Sequence, residues 1–497
     1  MRSKVTLLNV ISGGLLQVCA IISGMIIPRI ILEEFGSEVN GLVNSLLQFL
    51  TYISLIEGGI TGVVSANLYK PIVSGNYQKM SSILVTARRF FVRIGMIYIG
   101  YSIVIGIIYP LAMGMRMGYV FALTLILSLT TLLQYLFSLT YQILLNSDKK
   151  GYIVNSVQIL VYVLSVLLVY ISVKVYPSIH FVKLISGLLF ALQPLILGIY
   201  VRRNYPLDWK APSDDSLIKE RWNGAAINLA AFIHGSVDVT VLTIFADLKT
   251  VSVYTVYALV TTGIKRMIGA LTAGLNPIIG LAYAKGDTQE LNKKMDLYEF
   301  ITIVIVCFSF SMAGLLITPF VMLYTNGIHD ASYSQPLFGY ILVLSEALYL
   351  IKLPHLNFAY TANKFREITG AAYIESILNI VLSVILVRTF GLTGIAVGTA
   401  IAMFYRMVYH VYFTGKEIKG REPWIFYRKL LIYVTASLIS MGLCLQLFPM
   451  GALDFWQWII HAVGYSIVFA TLFFIVGGLF FKDEMRFLAN YIGKRKE

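Results

Sequence analysis

Two adjacent cations, Lys265 and Arg266, stand in the middle of an otherwise apolar run, 251–284 (VSVYTVYALVTTGIKRMIGALTAGLNPIIGLAYA). The run exceeds the roughly 20 residues a helix needs to cross a bilayer. A cation near its midpoint costs on the order of 2.5–3.5 kcal/mol even on the lenient insertion scale. Such a pair is tolerated only against water, a counter-charge or an anionic ligand. Steps of three and four from Lys265 reach Tyr254, Ala258, Thr261, Gly269, Thr272 and Asn276. That small and polar face is expected to line a cavity, with Thr261 and Asn276 in its wall. Asn276-Pro277 interrupts the hydrogen-bond ladder, so a kink is expected there.

Other residues suit proton or cation exchange. His234 and Asp238 lie one turn apart in an apolar segment, 222–246, with Asn228 and Gly235 nearby. Asp238 falls near the midplane, where an idle carboxylate is expensive; His234 serves either exchange or a helix-pinning hydrogen bond. Glu57, in Leu-Ile-Glu-Gly-Gly, and Glu346 are further carboxylates in apolar surroundings. Beyond Glu346 come Lys352, Pro354 and His355; Ser345, Lys352 and His355 share a face, and Pro354 frees the carbonyl of Leu350, so a bend is expected. Glu375, Asn379 and Ser383 align on one helix face, and Arg406 and His410 are one turn apart; Glu375 and Arg406 read as a structural ion pair. In the first apolar run Asn9, Gly13, Gln17, Ala20 and Gly24 form a stripe that either packs closely on another helix or exposes Gln17 to a cavity. Arg29, at its end, is placed to snorkel to the outer interface.

The elements that position these residues are membrane spans. The chain has 497 residues, 58% hydrophobic and 13% charged, with mean hydropathy +0.78; soluble domains carry about 25% charged residues. Hydropathy predicts an all-α protein with about fourteen transmembrane helices: 7–31, 41–66, 91–113, 117–143, 152–173, 180–201, 222–246, 251–282, 298–324, 336–359, 369–388, 392–412, 430–448 and 456–480. No cleavage site follows the first run, which reads as a retained span. Most of the 39 lysines and arginines then fall in or beside inner segments. Arg29, Arg116, Lys174, Lys183, Lys249 and Arg388 are near outer ones, and Lys265, Arg266, Lys352 and Arg406 are inside spans. That asymmetry predicts both termini inside and explains the net charge of +14 without nucleic acid.

The outer loops are short, the longest being 32–40 and 324–335, and leave no room for an outer catalytic domain. Cys19, Cys307 and Cys444 lie in apolar segments with no metal or disulfide spacing, and no phosphate-cradling Gly-rich loop is present. No cofactor or metal is expected; energy would come from an H⁺ or Na⁺ gradient, the membrane potential or mass action.

A weak internal repeat, offset by about 210 residues, accompanies this layout: Val39–Leu46 with Val251–Leu259, the turn Gly75-Asn76-Tyr77-Gln78 with Gly286-Asp287-Thr288-Gln289, and the loops 146–151 with 362–367. It predicts parallel six-helix lobes, pseudo-symmetric, at 1–203 and 222–415. A cytoplasmic linker would span 204–221. Residues 416–497 would add a loop, two extra helices and a basic tail.

Several stretches carry a family resemblance. They are Ile27-Pro28-Arg29-Ile30, Phe35-Gly36-Ser37-Glu38-Val39-Asn40-Gly41-Leu42, Leu55-Ile56-Glu57-Gly58-Gly59 and Leu68-Tyr69-Lys70-Pro71. To these is added Ile374-Glu375-Ser376 … Asn379 … Phe390-Gly391-Leu392 … Gly398-Thr399 … Tyr405-Arg406. Over most of 1–420 the chain resembles Wzx-type bacterial oligosaccharide flippases, in the superfamily that also holds multidrug extruders and lipid II flippases. The resemblance implies two six-helix lobes around a cavity open alternately to either side. It implies a polyprenyl-diphosphate-linked oligosaccharide as substrate, in the bacterial cytoplasmic membrane. Glycosyltransferases and a polysaccharide polymerase would be partners. It also suggests Arg29, Lys265 and Arg266 as diphosphate ligands, and likens the last two spans to the extra pair of the lipid II branch.

The residue chemistry agrees with this expectation. Lys265, Arg266 and Lys352 would neutralise a diphosphate, Arg by paired contacts, while Asp238, Glu57, Glu346 and His234 would couple transport to ions. Two rivals remain at this stage. An H⁺- or Na⁺-coupled drug antiporter would want carboxylates and aromatics more than a cationic pair. A membrane-embedded polysaccharide polymerase or ligase, an enzyme, would want large outer loops.

Overall fold

The computed structural model describes residues 2–57, 60–214, 225–449 and 454–493. Of these, the side chains of 2, 3, 56, 225–231, 234, 273 and 488–493 are not described. The described residues form helices joined by short turns, with no strand among them. In chain order the helices are α1 Arg2–Thr51, α2 Ser54–Glu57, α3 Ile60–Ser74, α4 Tyr77–Met113, α5 Met117–Leu133, α6 Leu139–Ser147, α7 Gly151–Val175, α8 Ile179–Leu189 and α9 Leu192–Asn204. There follow α10 Ala225–Phe245, α11 Leu248–Thr272, α12 Asn276–Ala284, α13 Thr288–Tyr324, α14 Pro336–Ile351, α15 Leu353–Thr361, α16 Phe365–Glu417, α17 Pro423–Leu447, α18 Phe455–Phe480 and α19 Lys482–Gly493.

Among the described residues eleven helical segments are long and apolar enough to cross a membrane, as expected of a multi-pass membrane protein. Two are too long for one crossing. At 1.5 Å per residue the 53 residues of α16 would reach about 80 Å, against a hydrocarbon core of about 30 Å. Gly391 resolves this: its φ of 55° and ψ of −131° turn the chain inside α16, a conformation open to glycine and strained for other residues. The two arms then return along each other. A methyl group built on Gly394 would lie 2.2 Å from the Leu386 carbonyl oxygen, and one on Gly398 would lie 2.9 Å from the Ser383 nitrogen. Only hydrogen side chains allow so close an approach. α1 is broken likewise at Gly36. The two glycines fall between expected spans, 36 between 7–31 and 41–66, and 391 between 369–388 and 392–412.

By compactness the chain divides into two units, Met1–Phe232 and Ile233–Glu497, with the boundary inside α10. The repeated turns have matching structure. Gly75 (φ 66°) precedes Asn76, whose side chain accepts from the Lys79 amide and caps α4. Gly286 (φ 71°) precedes Asp287, whose side chain accepts from the Gln289 and Glu290 amides and caps α13. Each pair opens a helix of 37 residues. The segment 204–221, read as a linker, is described only as far as 214. Its first part is bound to α4: Ser82 donates to the Pro212 carbonyl (2.7 Å), and the amides of Asp208 and Asp214 donate to Ser81 (2.9 Å) and Thr86 (2.8 Å).

In the second unit α13, α14, α16 and α17 pack as neighbours, and α18 packs on α13 and α17. Aromatic rings tie α17 and α18 to α13: Tyr433 meets Phe300 and Phe473, and Phe308 meets Phe469. The outward surface is apolar, as lipid requires; Leu438 and Ile439 on α17 and Trp456, Ile460 and Ile467 on α18 are all exposed.

Candidate functional site

Kinks set the polar residues of the second unit in place. The run 251–284 is a helix in two parts, α11 and α12, joined by the 3₁₀ turn Ala273–Leu275 just before Asn276-Pro277. The span 336–359 breaks at Lys352, two residues ahead of Pro354, which takes the first turn of α15, where a missing amide hydrogen costs nothing. The hairpin in α16 brings Glu375 and Asn379 on its first arm beside Thr399 and Arg406 on its second.

Lys265 and Arg266 separate in role. Lys265 Nζ lies 2.7 Å from Glu346 on α14, with its side chain 24% exposed, and 5.6 Å from the centre of the Tyr349 ring. Arg266, one position on, turns about 100° away and is exposed. On the Lys265 face of α11 and α12, Thr261 and Asn276 are engaged in packing, while a methyl group built on Gly269 would meet open space. Thr261, expected in a cavity wall, is buried (1% exposed). Asn276, expected there too, accepts from Tyr298 (2.7 Å) and Asn357 (2.9 Å) at the α12–α13–α15 junction. Glu346 supplies the counter-charge that Lys265 needs.

Beneath Tyr349 sits a second group. Lys352, buried, stacks 4.6 Å from the same ring and lies 3.8 Å from Glu375. Arg406 meets the same Glu375 oxygen at 2.5 Å and donates to His410 at 2.7 Å. Lys352, expected as a phosphate ligand, is thus enclosed and shares Glu375 with Arg406. Lys265, Lys352 and Arg406 lie against Glu346 and Glu375, and Arg266 is exposed beside them; with Asp238 counted, four cations stand near three carboxylates.

Asp238 lies on α10, buried at 4% exposure. It accepts from Tyr254 on α11 (2.8 Å) and from Thr399 on α16 (3.1 Å). Asn379 reaches Thr399 at 3.5 Å, and Ser383 reaches Asn379 at 3.4 Å. Hydroxyls and an amide around a buried carboxylate can exchange a proton or admit a small cation. Thr399 and Arg406, seven residues apart on one arm, set this group about 10 Å from the Glu375 pair. His234, one turn away, lies outside the described side chains.

In the first unit, Glu57 accepts from Thr61 (2.8 Å) and Tyr135 (3.5 Å). Arg29 lies 3.8 Å from Glu33 on its own helix, and Gln17 is exposed.

One ionic cluster escaped the sequence reading. Glu299, fully buried on α13, meets Arg421 at 2.6 Å, Lys429 at 3.2 Å and His355 at 3.4 Å; Asp296 meets Lys429 at 2.7 Å and Arg421 at 3.2 Å. It fastens α17 and the loop before it to α13 and α15. The available signal was Asp296 and Glu299 three apart at the mouth of a span, and Arg421 and Lys429 flanking the start of another.

No family model matches the chain, and no curated protein matches it by sequence. Solved structures do. A lipid II flippase, MurJ, in an inward closed conformation aligns with a TM-score of 0.70 at 14% identity, over 94% of this chain and 99% of its own. An inward-facing MATE-family multidrug resistance transporter of the MOP superfamily aligns at 0.62 and 15% identity, over 80% and 95%. The MATE multidrug transporter DinF-BH aligns at 0.59 and 15% identity, over 86% and 96%. The fold is that of the transporters of this superfamily. At such identities the likeness extends to the fold alone.

Proposed function

We propose that the protein is a flippase that carries a polyprenyl-diphosphate-linked oligosaccharide across a bacterial cytoplasmic membrane. The observation that carries this reading is the cation excess around Lys265 and Arg266. A diphosphate head group brings about two negative charges into the membrane, which a group of side chains with an excess of cations favours. Arg266, exposed, offers its planar fork to the phosphates. Lys265, held by Glu346 and still 24% exposed, adds charge from one position away. Rocking of the two units would move the head group while the lipid tail stays in the bilayer.

The length of the structural match supports a lipid-linked substrate over a drug. The lipid II flippase aligns over 94% of the chain, and the 6% left over is shorter than α17 and α18 together. The multidrug transporters leave 14–20% unaligned. One observation favours the second reading, a cation-coupled multidrug antiporter: Asp238, buried among hydroxyls, resembles a coupling carboxylate. Both readings can share it, since a flippase coupled to H⁺ or Na⁺ needs one too.

Reconstitution separates them. Proteoliposomes holding the full chain should translocate a fluorescent polyprenyl-diphosphate oligosaccharide and leave a cationic dye gradient unchanged. Dye transport without movement of the lipid-linked sugar would replace the flippase with the antiporter.

A further inference from the structure

We infer that a crevice in the first unit, lined by Arg88, Arg89, Arg93 and Trp209, is a binding site for the phosphate of an anionic phospholipid. The crevice has a volume of about 390 Å³ and is completed by Val85 and Val92. Its depth identifies the ligand's surroundings. Residues 94–113 contain no charged side chain and span about 30 Å as helix, the thickness of the hydrocarbon core. Arg93 directly precedes that stretch, and Arg88 and Arg89 lie about one turn further out. The three guanidinium groups therefore sit at head-group level, at the lysine- and arginine-rich end of α4.

Positive flanks are common in membrane proteins and by themselves mark only orientation. This one has a built wall. The chain 205–214 is bonded along α4 through Ser81, Ser82 and Thr86, which fixes Trp209 over Arg88. Arg88 lies 5.7 Å from the centre of the Trp209 ring, and the ring meets Tyr141 of α6 edge-on at 5.6 Å. Arg89 donates to Ser213 at 2.7 Å. Among the described residues no carboxylate pairs with Arg88, Arg89 or Arg93. Three cations thus share a crevice with no described carboxylate against them, which calls for an anion with several acceptor oxygens.

The apolar part of the lining selects a lipid over a free anion. Val92, beside Arg93 at the edge of the apolar stretch, and the indole face give a glycerol and upper acyl chain something to lie against, and tryptophan is at home at this depth. Basic pockets at the membrane surface hold anionic head groups by this combination. The inference concerns the first unit alone and stands whatever the transported substrate proves to be.

The test is lipid retention by the full chain, purified in detergent and measured by native mass spectrometry with phosphatidylglycerol or phosphatidylcholine added. Wild type should retain phosphatidylglycerol preferentially. Arg88→Gln/Arg93→Gln should weaken that retention about tenfold or more, given the contribution of each basic residue near a membrane surface. Lys70→Gln/Lys79→Gln, an equal loss of charge outside the crevice, should change it less than about twofold. Trp209→Ala should lower retention with every charge kept. Equal retention of the two lipids, equal losses in the two double variants, or no effect of Trp209→Ala would overturn the site. So would displacement of the lipid by millimolar inorganic phosphate, which would make it a site for free anions.

Discussion

At the scale of single residues, the second unit handles charge in two distinct ways. Glu375 is a counter-ion for two enclosed cations, Lys352 and Arg406. Buried pairs add little net stability over an apolar substitute, yet removing one partner leaves an uncompensated charge and costs about 3–5 kcal/mol. Glu375→Gln should therefore lower the thermal unfolding midpoint in detergent sharply and reduce folded yield; a midpoint equal to wild type would show that Lys352 and Arg406 do not depend on it. Asp238 differs, being surrounded by Tyr254 and Thr399 hydroxyls. If it couples transport to an ion, Asp238→Asn should keep the fold and abolish the response of transport to an ionophore. An ionophore response like that of wild type would remove Asp238 from coupling.

At the scale of elements, breaks in helices do the positioning. Gly391 folds α16 so that Glu375 and Arg406, 31 residues apart, share a hydrogen bond. Its φ of 55° makes any side chain strained there by about 1–3 kcal/mol. Gly391→Ala should lower the unfolding midpoint, whereas Gly370→Ala, in regular helix with open space around the added methyl, should leave it level or raise it slightly. Equal effects of the two would mean that the turn does not need its glycine.

Features local to the chain were legible in the sequence: the kink before Pro277, the repeated turns at Gly75-Asn76 and Gly286-Asp287, and the breaks between expected spans at Gly36 and Gly391. Each depends on a few neighbouring residues. Choices between distant partners were not. Glu346, 81 residues from Lys265, supplies its counter-charge, and no periodicity in α11 carries that information. The Glu299 cluster joins α13 to residues far along the chain, Arg421 and Lys429, and at span mouths its charges read as ordinary interfacial ones.

At the scale of the whole molecule, the fold is shared by lipid flippases and drug transporters, so the account rests on what this chain places within it. Its central claim is that Arg266, with Lys265 beside it, receives a diphosphate. Removing a charge-assisted hydrogen bond of this kind costs about 1.5–3 kcal/mol, or roughly ten- to a hundredfold in affinity. The most direct measurement is the dissociation constant of a polyprenyl-diphosphate oligosaccharide for purified wild type, Arg266→Ala and Lys265→Ala. The account predicts at least about tenfold weaker binding for Arg266→Ala, a smaller loss for Lys265→Ala, and folded protein in both cases. Wild-type affinity in both variants would contradict it.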